Sequence, residues 1–186
     1  GRYREAESLY RKALMNSEKV NGSEHLISLG ILNNLAGVLE AEKKYDESEL
    51  LYRRVVSWCE KRLGTNHPNT ATALNNLASL LTEQKNYIEG KKLYKRALEI
   101  RLRTLGIDNP ATISTIQDIG SFFAQTQKYK EAATFFRCAF ERGKIILGES
   151  HFLIVKIKSE LDSLPKSNPL DIKNEPCNEV LDWGKY

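Results

Sequence analysis

A residue pattern that recurs at a fixed interval constrains the possible fold of this chain more than any other feature of its sequence. Steps of 42 residues separate four tyrosines and four glycines: Tyr3, Tyr45, Tyr87 and Tyr129, and Gly22, Gly64, Gly106 and Gly148. A period of about 20–50 residues is typical of arrays in which one supersecondary unit is repeated. A single copy cannot bury its apolar face, so neighbouring copies must stack. We therefore predict a solenoid.

Each repeated unit has the pattern of two helices. Leu74, Leu77, Ala78 and Leu81 fall at the i, i+3, i+4, i+7 spacing of one helix face. After a polar break at 83–86, a second apolar stripe begins at Tyr87 and continues to residue 105. Two helices joined by so short a break fold back on one another as an antiparallel pair. The predicted fold class is all-α, an array of antiparallel helix pairs.

The period also divides the chain into segments. We predict the second helix of a truncated repeat at 1–21, complete repeats at 26–63, 68–105 and 110–147, a capping helix at 152–164 and a mostly disordered tail at 165–186. Pro68 and Pro110 favour helix starts, because proline is tolerated in the first turn. Lys158 and Asp162 place charge where earlier repeats are apolar or small, as a terminal helix requires. The single methionine, Met15, predicts that the sequence is part of a longer chain.

Composition and charge argue against several classes of function. The formal net charge of +4 is too small to indicate a nucleic-acid partner. No apolar run approaches the roughly 18 residues that a transmembrane helix needs, so we expect no membrane insertion. Cys59, Cys138 and Cys177 show neither a disulfide framework nor the spacing of metal ligands. They favour a reducing compartment, and we expect a cytoplasmic protein without metal or cofactor.

Short motifs within the repeats resemble those of the tetratricopeptide repeat. They are NNLA at 33–36 and 75–78, YDES at 45–48, LGTNHP at 63–68 and LYKRAL at 93–98. More narrowly, they resemble the 42-residue repeat found in kinesin light chains and in nephrocystin-3-like proteins. The resemblance implies a right-handed superhelical solenoid. It also implies that the first helices of the repeats line a concave groove, which binds extended peptides of protein partners.

Polar side chains on these first helices are the candidate peptide-binding residues. They are Asn33, Asn34, Asn75, Asn76 and Gln117. Side-chain amides donate and accept hydrogen bonds, so they can pair with the backbone of an extended peptide. In kinesin light chains the asparagines of the NNL motif contact cargo peptide, and the resemblance implies the same role for the four asparagines here. The alternative is that one asparagine of each pair bridges neighbouring helices and belongs to the repeat itself.

Two other features of the sequence bear on partner binding. Basic pairs such as Arg53–Arg54 and Lys95–Arg96 concentrate on the second helices. We predict a solvated outer surface there, with glutamate partners such as Glu89 and Glu99; the alternative is a docking patch for an acidic partner. In the tail, Leu181-Asp182-Trp183 resembles the tryptophan-acidic peptides that kinesin light chains bind. This tail segment either occupies the groove or resembles such peptides by chance.

The repeat pattern argues against catalysis. His25, His67 and His151 recur with the 42-residue period, and residues that recur with a fold usually serve the fold. We therefore predict a non-catalytic, protein-binding scaffold without a small-molecule substrate, resembling the cargo adaptor of a kinesin light chain. The alternative is the sensor or scaffold arm of a larger signalling or ciliary protein of the nephrocystin-3 kind.

Overall fold

The computed structural model describes residues 2–22, 25–165, 177 and 182. Within these residues the chain forms helices and no strand. The helices are α1 (Arg2–Asn21), α2 (Leu26–Ala41), α3 (Tyr45–Arg62), α4 (Pro68–Glu83), α5 (Tyr87–Leu105), α6 (Pro110–Gln125), α7 (Tyr129–Leu147) and α8 (Phe152–Ser163). We call α2, α4, α6 and α8 the A helices and α1, α3, α5 and α7 the B helices, because the two sets correspond to the first and second helices of the predicted repeats.

The chain forms two compact units, Gly1–Leu93 and Tyr94–Tyr186, which divide within α5. In the first unit, α2 packs on α1 and α3, and α3 also packs on α4. Its core contains two adjoining sets of buried side chains: Leu29, Leu32, Val55, Cys59 and Ala73, and Ala36, Tyr52, Leu77, Leu80 and Leu81. In the second unit, α7 packs on α6 and α8 around buried aromatic rings such as Phe123 and Phe135.

The A helices begin with the same side-chain cap. His25, His67 and His151 accept a hydrogen bond through Nδ1 from the backbone N–H two residues later, at 3.3, 3.1 and 3.2 Å. Asn109 makes the equivalent bond through Oδ1, at 2.9 Å. A residue at this position satisfies one of the backbone donors that a helix N-terminus leaves unpaired. The periodic histidines therefore serve the fold.

Tight turns connect each A helix to the B helix that follows. Lys43, Lys85 and Gln127 adopt φ values of 61°, 64° and 61°, in the left-handed region. After Lys43, the backbone N–H of Lys44 donates to the carbonyl of Leu39 at 2.8 Å, and the other two turns repeat this bond. This is the Schellman arrangement that ends helices, here without glycine. Each turn is followed two residues later by one of the periodic tyrosines, which begin α3, α5 and α7.

Small residues allow the paired helices to approach closely. Ser48, in α3, donates its hydroxyl hydrogen to the carbonyl of Ala36 in α2 at 2.8 Å. In α6, a Cβ atom added to Gly120 would lie 2.7 Å from two ring carbons of Phe136 in α7. That ring is 1% exposed. At both positions a small residue therefore leaves room for the opposite helix.

The cysteines correct one sequence expectation. Cys138, in α7, forms a disulfide with Cys177, although their spacing predicted no disulfide. The pairing depends on proximity in the folded chain, and the 39-residue separation of the two cysteines gives no sign of it. Cys59 is buried and unpaired. The predicted tail lies almost entirely outside the described residues, including Leu181 and Trp183.

Candidate functional site

Two of the predicted asparagines meet between neighbouring A helices. The Nδ2 atom of Asn76 in α4 donates to the Oδ1 atom of Asn33 in α2 at 2.9 Å. The two residues are 43 positions apart, one more than the repeat period. The second asparagine of one NNL motif therefore pairs with the first asparagine of the preceding motif. This contact is the bridge between repeats that the sequence left open as the alternative role.

An equivalent contact joins α6 and α8 in the second unit. The Nε2 atom of Gln117 donates to Oε2 of Glu160 at 2.8 Å, again across 43 residues, and to the hydroxyl of Ser121 at 3.1 Å. Glu160 is partly buried, and burial raises the pKa of its carboxyl despite the opposing effects of Lys156 and Gln117. Within each unit, two A helices are thus linked by polar side chains that lie 43 residues apart.

The five candidate residues differ in how much surface they offer to a ligand. Asn75 is 7% exposed and Gln117 is 2% exposed. Asn33 and Asn76 are partly exposed, and Asn34 is exposed. A side-chain amide has two donor hydrogens and an acceptor oxygen with two lone pairs, so the single Asn33–Asn76 bond leaves capacity on both residues. Asn33, Asn34 and Asn76 together form what we call the asparagine surface of the first unit.

A partly buried acidic group, Glu40, lies at the opposite end of α2 from its cap. The hydroxyl of Tyr52 donates to Oε2 of Glu40 at 3.1 Å. Burial, and to a smaller extent the charge of Glu83, raises the pKa of the Glu40 carboxyl. Glu40 and Glu83 are also 43 residues apart. Neither glutamate is among the residues predicted from the sequence, although their spacing differs from the repeat period by only one residue.

Ion pairs occupy many of the basic residues on the B helices. Arg11 contacts Glu7 in its own helix at 2.8 Å and Glu47 in α3 at 2.7 Å. Arg53 repeats the arrangement with Glu49 and, in α5, with Glu89, both at 2.8 Å. These contacts agree with the solvated outer surface expected from the sequence. Exposed pairs of this kind contribute about 0–1 kcal/mol each, so they add little to the stability of the fold.

One carboxylate in this network is strongly perturbed. Lys44, at 2.7 Å, and Arg11 hold the pKa of Glu7 at about 2, well below its ordinary value. The pairing also raises the pKa of the Lys44 ammonium, although its contact with Glu42 is the larger cause there. Because these charges are satisfied by one another, they provide little unbalanced charge for an acidic partner.

Within the part of the chain that the structure describes, no three His, Cys, Asp or Glu side chains are grouped so as to hold a metal ion. Each of the three histidines instead caps a different A helix. None of the helices in the described ranges combines the length and apolar character that a membrane span requires.

The sequence matches the family model described as tetratricopeptide repeat over residues 27–87 and 71–144. These matches together cover more than half of the chain. The chain belongs to the tetratricopeptide repeat family. Proteins of this family are typically non-catalytic scaffolds for protein interactions. The family supports that general role and protein partners for this tetratricopeptide repeat protein.

Solved structures show the same fold. The crystal structure of BtubC (BKLC) from P. vanneervenii matches with a TM-score of 0.72 and 20% identity, over 87% of this chain and 64% of that chain. A kinesin light chain-like protein of Podosopora anserina with nearly identical TPR-like repeats matches with a TM-score of 0.71 and 20% identity, over 100% of this chain and 86% of the other. The all-α solenoid of antiparallel helix pairs predicted from the sequence is confirmed. This tetratricopeptide repeat protein spans less than two thirds of the BtubC chain. No curated protein sequence matches it.

Proposed function

We propose that this protein is a non-catalytic adaptor whose A helices hold an extended peptide of a partner protein, as in a kinesin light chain-like cargo adaptor. The asparagine surface of the first unit supports the proposal best. Asn34 is exposed on α2, beside the partly exposed Asn33–Asn76 pair. Amide groups held in this way can bond a peptide backbone without selecting particular side chains. The proposed location is the cytoplasm.

The hydrogen bond between Asn33 and Asn76 supports peptide binding rather than excluding it. It fixes the orientation of both amides, so that less side-chain entropy is lost when a peptide binds. Asn75 and Gln117 are nearly buried and offer little surface. Within the five candidate residues we therefore propose Asn34 and Asn76 as the principal contacts, with Asn33 positioning Asn76.

The test begins with peptides selected from a random displayed library against the whole chain. Their affinity for the wild-type protein and for Asn34→Ala plus Asn76→Ala is then measured by fluorescence anisotropy. Each lost hydrogen bond is worth about 0.5–1.5 kcal/mol, so two lost bonds predict an affinity roughly 5–150 times weaker. Circular dichroism verifies that the variant remains folded.

A matched control removes two asparagine side chains from another part of the protein. Asn16 and Asn66 are exposed and lie outside the asparagine surface. Asn16→Ala plus Asn66→Ala should leave peptide affinity unchanged. Equal affinities of both double variants and the wild-type protein would contradict the proposed site, as would selected peptides that bind only through the basic B helices.

A further inference from the structure

The disulfide attaches the C-terminal part of the chain to α7. Cys138 is buried in this B helix, and the partly exposed Cys177 lies 39 residues later, beyond the end of α8. Their Cα atoms are 5.2 Å apart, which is within the usual range of about 4.4–6.8 Å for bonded cysteines. The bond closes a loop that contains the whole of α8.

The repeat pattern gives independent support for this attachment point. The positions equivalent to Cys138 in the other B helices hold Lys12, Arg54 and Arg96. The first two are exposed and Arg96 is partly exposed. Long basic side chains keep their charged ends in water, which would hold another segment away from the helix. In α7 this position holds Cys138, which is only 4% exposed. The sequence therefore departs from the repeat pattern at the residue to which Cys177 is bonded.

The third cysteine is poorly suited to compete for this bond. Cys59 is 6% exposed within the core of the first unit. Burial raises the pKa of its thiol, which lowers the fraction present as the reactive thiolate. We therefore expect thiol–disulfide exchange to begin at Cys177, which is partly exposed, rather than at Cys59.

We propose that Cys138 and Cys177 form a reversible thiol–disulfide latch that fastens the C-terminal segment to α7. To open it, a dithiol reductant attacks one sulfur through its thiolate and forms a mixed disulfide. Its second thiol then displaces the protein sulfur. The protein disulfide gains two electrons and two protons to become two thiols, while the reductant becomes a disulfide. The reversible form of the bond rests on the proposed cytoplasmic location, because disulfides in a reducing compartment are usually transient and redox-sensing.

Peptide mapping provides the direct test. The full chain is equilibrated with oxidised glutathione, its free thiols are blocked with N-ethylmaleimide, and it is digested with trypsin without reductant. Cleavage after basic residues should leave peptide 138–142 bonded to peptide 174–185. The unfolded oxidised protein should contain one free thiol instead of three. Dithiothreitol should separate the two peptides.

Reversibility distinguishes a latch from a permanent disulfide. Across a series of reduced-to-oxidised glutathione ratios, the bonded peptide should appear and disappear in one reversible transition. Cys59→Ser should preserve it, whereas Cys177→Ser should abolish it and leave Cys138 as a thiol. Three free thiols in oxidised protein, a bond to Cys59, or a bond that reduced glutathione cannot open would each overturn the proposal. None of these measurements involves a peptide ligand, so their outcome is independent of the proposed adaptor function.

Discussion

The same glycine-to-alanine substitution should change stability differently in two A helices. Gly30 is exposed in α2, and a Cβ atom added there meets nothing within 4 Å. Gly120 is buried in α6, where the added Cβ would lie 2.7 Å from ring carbons of Phe136. Optimal carbon–carbon contacts are about 3.5–4.0 Å, so the ring or α7 must move.

The magnitude follows from two opposing terms. Alanine is favoured over glycine inside a helix by about 0.8–1 kcal/mol, a gain that both substitutions share. Overpacking a filled core costs about 1–3 kcal/mol, which applies only to Gly120. We therefore expect Gly30→Ala to raise the free energy of unfolding by about 1 kcal/mol. Gly120→Ala should change it by between about zero and a loss of 2 kcal/mol. The difference between the two variants isolates the overpacking cost.

Urea denaturation followed by circular dichroism measures both changes, provided that the slope of each transition stays equal to that of the wild-type protein. A second substitution, Phe136→Leu, should reduce the penalty of Gly120→Ala, because it removes the ring that the new methyl group meets. Equal stabilisation by Gly30→Ala and Gly120→Ala would refute the reasoning. It would mean that α6 and α7 separate at no cost.

Two further predictions concern a helix cap and an ion pair. His67→Ala should lower the free energy of unfolding by about 0.5–2 kcal/mol, because it removes the hydrogen-bond acceptor that caps the start of α4. His67→Asn should retain the stability of the wild-type protein, because Asn109 caps α6 in the same way. Thermal melts of both variants test this, and equal losses would contradict it. The folded pKa of Glu7 is depressed to about 2, so its contribution to stability is present above the unfolded value near 4.5 and is lost as pH falls towards 2. Glu7→Gln should therefore flatten the dependence of stability on pH in that window. Urea denaturation at each pH measures this dependence. If it is the same in the variant and the wild-type protein, Lys44 does not stabilise the ionised Glu7 carboxylate.

Much of the local structure could be predicted because it is encoded at short range. The apolar spacing of Leu74, Leu77 and Leu81 specifies a helix face, and Pro68 marks a helix start. The cap at Asn109 was also predictable, since asparagine accepts from the backbone two residues later. Repetition reinforced these weak signals, because each one recurs at the same interval along the chain.

The candidate site could be predicted only in part from the sequence. The NNL motifs identify amides on the A helices, but they do not distinguish Asn34, which is exposed, from Asn75, which is buried. That difference depends on the rotation of each helix against its neighbours. The Asn33–Asn76 bond likewise requires two helices to meet at an offset of 43 residues, which the 42-residue period does not reveal.

The sequence by itself determined the helices, their pairing and the family, because periodic apolar faces have few ways to become buried. Only the tertiary structure decided which polar groups meet across repeats and that Cys138 joins Cys177. The physical reason is distance along the chain. Helix formation depends on residues three or four positions apart, whereas these contacts join residues 39 or 43 positions apart and exist only once the helices have packed.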